Sequence, residues 1–257
     1  MSTLTAVPTA LIVHAHPEPL SFSSAQVTAA AESLTEAGYR VDLLDLYAEG
    51  WAPVLAREEF GPVDGPFKPQ AEQMRAIERG TLDSAVRDHL DRLLAADLLV
   101  LSFPLWWFSL PAVLKGWVDR VFVMGGVFGG AHGLFGEAAL ADRRAMLLFT
   151  TGGSAESFRP GGAFGPMDDF LFHIHRGMLE FVGFEVLDPV ITYGPARMTE
   201  QERAAALDAV GESFARFAVT APAAVRRMPA KVDCRPATPV GSVPRHAPDA
   251  AHPAPGS

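Results

Sequence analysis

The sequence predicts a doubly wound α/β domain, a parallel sheet of five strands with helices on both faces. Three observations carry this. Five short runs rich in Leu, Ile, Val and Phe are separated by longer stretches with helical apolar spacing. The runs are apolar at consecutive positions, as in strands buried on both sides. Gly38 and the tetrad Thr199-Glu200-Gln201-Glu202 stand where helices of such a fold would end and begin.

Residues 10–13 (ALIV) give the first strand, and residues 23–37 a helix ended by Gly38, which can adopt the left-handed backbone of a C-cap. Residues 40–46 (RVDLLDL) are the second strand, whose alternation towards its end marks a sheet edge. Residues 48–68 hold several Pro and Gly and read as a long excursion. A helix resumes over 82–95, with Leu90, Leu93 and Leu94 on one side. Residues 98–103 (LLVLSF) form the third strand, 104–110 an aromatic loop, and a helix starts at Pro111. Residues 145–150 (AMLLFT) are the fourth strand. Asp168 and Asp169 open a helix over 168–182 and complement its dipole. Residues 184–191 supply the fifth strand and 199–217 the last helix, begun by the capping box. In such a sheet the crossovers are right-handed, and ligands bind beyond the carboxyl ends of the strands. The folded domain spans residues 1–219. Residues 220–257 contain eight prolines and no apolar period, the composition of a disordered tail.

With 257 residues, 49% hydrophobic, the chain can bury a full core. A net charge of −9 and scattered basic residues argue against nucleic-acid binding. The single cysteine, Cys234, excludes an internal disulfide or a CxxC pair and suits a reducing, cytoplasmic setting. Residues 1–10 lack the basic start of a targeting signal. Between Asp97 and Lys115 lie 17 uncharged residues, which raises a membrane span, yet Pro104 and Pro111 break the run. A span needs about 20 apolar residues, so no insertion is expected. The pairs His14/His16 and His173/His175 have no acidic partner at a zincin spacing, and no metal is assigned. Lys115, Asp119 and Arg120 read as a solvated or intersubunit face.

Three carboxyl-end loops carry chemistry. Residues 14–24 (HAHPEPLSFSS) place Ser21, Ser23 and Ser24 around a helix N-terminus, where free N–H groups and hydroxyls suit a phosphate; serine N-capping is the alternative reading. The loop lacks both the G-x-G-x-x-G and the Walker patterns. Residues 104–110 carry Trp106 and Trp107, which cannot both point inward from one strand, so one of them faces a ligand or a subunit. Thr150, Thr151, Gly152 and Gly153 form a turn at which a backbone could approach a ligand closely. Together the loops would surround a ligand with a phosphate at one end and a planar ring at the other, as a flavin nucleotide has.

The run FPLWWFSLPAVLKGWVDRVF, the TTGG turn with Ser154, and the segment GFEVLDPVITY, supported by LIVHAHPEPLSFSSA and GYRVDLLDLYAEGWAP, are similar to the NAD(P)H:quinone oxidoreductase (DT-diaphorase) and modulator-of-drug-activity group of flavodoxin-like proteins. The similarity runs from about Leu11 to Phe217. The resemblance implies a flavodoxin-like sheet of order 2-1-3-4-5, and a homodimer with the active site at its interface. It also implies bound FAD, with FMN the lesser alternative, and NADH or NADPH as hydride donor. His16, Phe22 and Ser23 would hold the cofactor phosphates. Pro104, Leu105, Trp106, Trp107 and Phe108 would line the isoalloxazine, with the N–H groups of Trp107 and Phe108 at its N5 and O4 edge. Thr150, Thr151, Gly152 and Gly153 would contact the pyrimidine side and the ribityl chain, and Arg203 the adenosine half. The implied activity is two-electron hydride transfer to a quinone in a ping-pong cycle, with the protein supplying orientation and electrostatics.

Some positions depart from that pattern. Where the mammalian enzymes of the group carry a tyrosine and a histidine near the ring, this chain has Phe158 and Phe164, which donate neither hydrogen bond nor proton. Phe158 is expected against the cofactor, and Phe128 and Phe164 in the substrate pocket. The segment 125–136 is short and glycine-rich, with His132 its only titratable side chain and a candidate catalytic proton donor, or else an idle loop histidine. Two other functions fit the same resemblance: a flavoprotein regulatory subunit of a potassium efflux system, and a flavodoxin-like electron carrier.

Overall fold

The computed structural model describes residues 7–219; the segment 220–257, read above as a tail, lies outside them, as does Cys234. Six parallel strands make one sheet: β1 (Thr9–His14), β2 (Arg40–Asp45), β3 (Leu98–Pro104), β4 (Arg144–Thr151), β5 (Glu185–Val186) and β6 (Val190–Tyr193). Their order is β2-β1-β3-β4-β5, with β6 also paired to β4. The expected order holds, and β2 lies at the edge as its alternation predicts.

The sequence reading is corrected at the fifth strand, which is two strands. β5 pairs with the start of β4 through Arg144 and Ala145, and β6 with its end, from Leu148 to Thr151. The break falls at Asp188-Pro189. Proline has no N–H to give to the ladder, so pairing lapses there and resumes at Val190.

Six α-helices cover the sheet: α1 (Phe22–Glu36), α2 (Pro69–Arg79), α3 (Ser84–Ala95), α4 (Ala112–Val121), α5 (Met167–Ile174) and α6 (Glu200–Val219). One face packs Ala10, Ile12, Leu98, Val100, Met146 and Leu148 against Val27, Ala30 and Leu34 of α1 and Val210, Phe214 and Phe217 of α6. The alternate residues Leu11, Val13, Leu99, Leu101, Phe103, Leu147 and Phe149 meet α3, α4 and α5 on the other. Strand period two thus feeds two separate cores.

Caps set the helix ends. The Ser21 hydroxyl accepts from the Ser24 N–H at 3.1 Å and starts α1. Gly38, at φ +89°, ends it, and the Tyr39 N–H reaches the Leu34 carbonyl at 2.9 Å. Asp83 caps α3. Before α6, the Thr199 N–H donates to the Glu202 carboxylate at 2.7 Å, and the Glu202 N–H to the Thr199 hydroxyl at 3.2 Å, the predicted capping box. The helix expected over 168–182 begins with Met167 and its two aspartates, then continues as a π segment (His175–Leu179) and a 3₁₀ turn (Glu180–Val182).

The sequence reading missed α2 altogether. Its fully buried positions are Glu72, Gln73 and Ala76, while Ala71, Met74 and Ile77 are only half-buried, so its inward face is largely polar. Gln73 docks it instead, accepting the Met124 N–H at 3.2 Å. A buried network anchors the excursion before it. Trp51 stacks on His89 at 4.5 Å, Trp117 Nε1–H donates to His89 Nδ1 at 3.2 Å, and the other ring nitrogen of His89 meets Glu49 at 3.0 Å. Arg120, placed above on a solvated or intersubunit face, is buried in this network. Its guanidinium lies over Trp51 and pairs with Glu59 at 3.0 Å. Lys115 and Asp119 pair with each other at the surface.

Candidate functional site

The carboxyl ends of β1, β3, β4 and β6 bring four loops together. The ring of His16, after β1, lies 6.4 Å from that of Trp106, after β3. The Ser23 hydroxyl of α1 bonds the Thr150 hydroxyl of β4 at 2.9 Å. The Leu105 N–H donates to the Thr150 carbonyl at 2.8 Å. Tyr193, ending β6, sits with its ring 6.0 Å from Phe158.

The loop after β3 is a tight turn. The Ser109 N–H closes on the Trp106 carbonyl at 3.0 Å, and the two residues between, Trp107 and Phe108, have φ of +52° and +57°. This is the φ signature of a type I′ turn, which normally takes Gly or Asn. Holding two aromatic L-residues there costs about 1–2 kcal/mol each, and strain of this kind gathers at functional sites. Trp107 is 93% exposed and Trp106 42%. Both tryptophans therefore face outward, from a turn rather than a strand, so the alternation argument made above did not apply.

Phe108 turns the other way. It stacks on Phe170 of α5 at 4.6 Å, with Phe164 at 5.4 Å and Phe158 at 6.1 Å. Phe158 is buried, and Gly153 is glycine because a Cβ there would lie 2.5 Å from its ring. Gly152 has open space around its α-carbon. Burial, with the charge of Asp168, pushes the Tyr193 phenol up, so it keeps its proton.

At the start of α1 the Ser24 N–H is taken by Ser21, while the N–H groups of Phe22 and Ser23 have no protein acceptor among the described residues. The Ser23 hydroxyl points inward to Thr150. Beneath them His14, buried at the end of β1, bridges Ser102 and Ser24 at 3.1 Å each. Burial pushes its pKa down, against the attraction of Asp45. Glu18 N–H donates to Nδ1 of His16 at 3.0 Å. Arg203, in the first turn of α6, donates from Nε to the Pro195 carbonyl at 3.2 Å, close after β6.

Beside this edge lies a cavity of about 1100 Å³ whose lining includes Phe67, Phe122, Phe128, Phe181, Met74 and Met178. Ser109, next to Phe108, meets Nε2 of His173 at 3.0 Å, and His173 also lines the cavity. Phe128 lines the same cavity, and Phe164 stands within the ring cluster around Phe108. His132 lies in another turn, its N–H on the Gly129 carbonyl at 3.0 Å, and the structure does not bring it to these residues. Sequence reading passed over Ser109, Phe170, Tyr193 and His14 as site residues and set His173 aside as structural. Phe170 and His173, three apart on α5, share the face turned to the loop, a spacing that was legible.

Among the described residues, no group of three or more His, Cys, Asp or Glu is arranged to hold a metal, and no helix is long and apolar enough to cross a membrane.

The topology and the loop cluster define a doubly wound α/β protein whose loops gather at the carboxyl edge of a parallel sheet, the edge at which proteins of this class bind ligands. Residues 8–214 match the model of the flavodoxin-like fold family, and the chain belongs to that family. It is 38% identical to rat ribosyldihydronicotinamide dehydrogenase [quinone] over 196 residues, 75% of this chain and 84% of the relative. It is also 38% identical to guinea pig (Cavia porcellus) NAD(P)H dehydrogenase [quinone] 1 over 188 residues, 72% of this chain and 68% of the relative. An NAD(P)H:quinone oxidoreductase from Methanothermobacter marburgensis superposes with a TM-score of 0.65 at 26% identity, covering 84% of this chain and all of that one.

Proposed function

We propose that this chain is a flavin-dependent oxidoreductase that passes two electrons, as hydride, from a reduced nicotinamide to a quinone or a similar small aromatic acceptor. The observation that carries the reading is the convergence of loops on one edge: a helix start with two free N–H groups after β1, an exposed tryptophan turn after β3, and an open glycine after β4. These residues fit a flavin nucleotide. Phe22 and Ser23 would hold its phosphate through backbone N–H groups, as helix N-termini hold anions. Trp106 and Trp107 would flank the ring, with the strained turn presenting the Trp107 and Phe108 N–H groups to its polar edge. Thr150, Thr151 and Gly152 would lie along the ribityl side, with Phe158 behind them, and Arg203 beside the far end.

When bound, the flavin supplies the hydride-carrying chemistry. This chain's residues then orient the donor and the acceptor in turn and keep water from the ring, the alternation that a ping-pong cycle needs. FAD rather than FMN is proposed on Arg203 and on the resemblance. A homodimer would cover the cavity and the exposed aromatics. The single cysteine and the acidic balance support a cytoplasmic setting.

The test is to purify the protein, release and identify its flavin, and follow NADH and NADPH oxidation with menadione. Bound FAD and menadione-dependent turnover are expected. A colourless protein that takes up neither FAD nor FMN would overturn the reading. A second donor has specific support, because two relatives at equal identity are named for different donors. Ribosyl dihydronicotinamide therefore belongs in the same assay, and the donor with the highest kcat/KM decides.

A further inference from the structure

Resting on the quinone-reductase reading, we propose that His173, held by Ser109, is the proton donor to the acceptor and fixes one acceptor oxygen in the cavity. A quinone that gains a hydride becomes a hydroquinone monoanion. One proton must then arrive at its remaining oxygen. The group flanking the ring site offers none at Phe108, Phe158, Phe164 or Phe170, since phenylalanine has no donor. The lining of the adjacent cavity includes four Phe and three Met, with Gln70 and Gln73 its amides and Lys68, Lys115 and Asp119 its charged groups. Lys115 and Asp119 are engaged with each other. His173 is the imidazole in that lining, and it is tied to the residue directly after the aromatic turn.

Two contacts brace α5 on that turn. Phe170 stacks on Phe108, and one helical step on, His173 meets Ser109. The Ser109 contact engages Nε2 and leaves Nδ1 without a protein hydrogen bond among the described residues, which makes Nδ1 the nitrogen that can donate outward. In the step itself, a reduced nicotinamide supplies the hydride, that is, both electrons and one hydrogen. The Nδ1–H bond of the imidazolium breaks and an O–H bond forms on the anionic oxygen. The products are the neutral hydroquinone and neutral imidazole, and His173, exposed in the single chain, regains its proton from solvent after the product leaves. General-acid assistance of this kind is worth typically 10²–10⁴-fold in rate.

The step predicts an acceptor with an oxygen that hydrogen-bonds His173 on an otherwise apolar ring, as in naphthoquinones without polar side groups. The test compares menadione, which needs the proton, with ferricyanide, which takes electrons alone. In the flavin-loaded His173→Gln variant the ratio of menadione to ferricyanide turnover should fall at least about tenfold. Ser109→Ala should lower the ratio in part, and Ser109→Thr, which keeps the hydroxyl, should restore it. A second readout does not depend on turnover: the carbonyl stretch of menadione bound to the oxidised protein should be shifted down by a hydrogen bond, and that shift should be lost in His173→Leu, which has no donor. An unchanged ratio in His173→Gln or an unchanged carbonyl band in His173→Leu would overturn the proposal, as would a collapse of the ratio in Tyr193→Phe alone. If the parent protein holds no flavin, or a reduced nicotinamide does not bleach it, the quinone-reductase reading itself fails, which the variants' ratios would not report.

Discussion

At residue scale, Trp107 separates what the fold needs from what a ligand needs. Its ring is 93% exposed and contributes almost no burial, while its φ of +52° is a conformation that L side chains avoid. Trp107→Gly should therefore raise stability by up to about 1 kcal/mol, read from urea unfolding, because glycine adopts this backbone without a Cβ clash. The same variant should lose flavin several-fold more readily on dialysis. Trp107→Ala should lose flavin to the same extent without the gain in stability. Equal flavin retention in all three proteins would remove Trp107 from the site. Composition marked this residue, since paired tryptophans in a Pro-flanked loop invite attention. Its backbone strain was not legible, because left-handed φ at an aromatic residue goes with the Trp106–Ser109 closure and with the Phe108–Phe170 stack, a contact distant in sequence. Residues whose role rests on such contacts, Ser109 and His173 above all, were missed for the same reason.

Among the elements, those that bury an apolar stripe were readable and those held by polar or close-packed contacts were not. α1 and α6 appeared with their caps because period and capping chemistry agree there, and α3 through its Leu90, Leu93 and Leu94 stripe, without its Asp83 cap. α2 did not, since Glu72 and Gln73 face inward. The β5/β6 split was visible only as Pro189, whose effect depends on which side of the strand must donate. Gly116 in α4 is a similar case. A Cβ there would come 2.1 Å from the Pro53 carbonyl oxygen and 2.4 Å from the Pro53 Cβ, so the excursion lies directly on the helix. Elsewhere in a helix, Gly→Ala is favourable by roughly 1 kcal/mol. Here Gly116→Ala should destabilise by about 1–3 kcal/mol as the chain around Pro53 is pushed away. Urea midpoints of the two proteins check the sign, and a stabilised variant would show that the excursion does not pack on α4. Ser21→Ala should cost about 1 kcal/mol through the lost cap of α1, and it should also weaken flavin retention by loosening the phosphate-facing turn.

For the whole molecule, two buried histidines couple the fold to pH. His14 lies beneath the loop that opens α1, between Ser102 and Ser24, and His89 lies under the excursion between Trp117 and Glu49. Burial is the main cause that lowers both from the ordinary value of 6.5; Asp45 opposes it at His14, and the Glu49 hydrogen bond opposes it at His89. The Trp117 donor requires an unprotonated Nδ1 on His89, so the neutral form is the one the packing uses. A lowered folded pKa means that the unfolded chain binds more protons in the window between the folded and unfolded values. The stabilisation is then fully present above about pH 6.5 and is lost as the pH falls towards the folded values. Each histidine adds at most about 1.4 kcal/mol per pH unit to that slope. Unfolding free energies measured by urea from about pH 7.5 down to pH 5 should fall, and the fall should be shallower in His89→Gln, which has no ring to titrate. A flat profile in the parent protein, or an identical slope in the variant, would show that His89 accepts its proton without leaving the Trp51–Trp117–Glu49 packing.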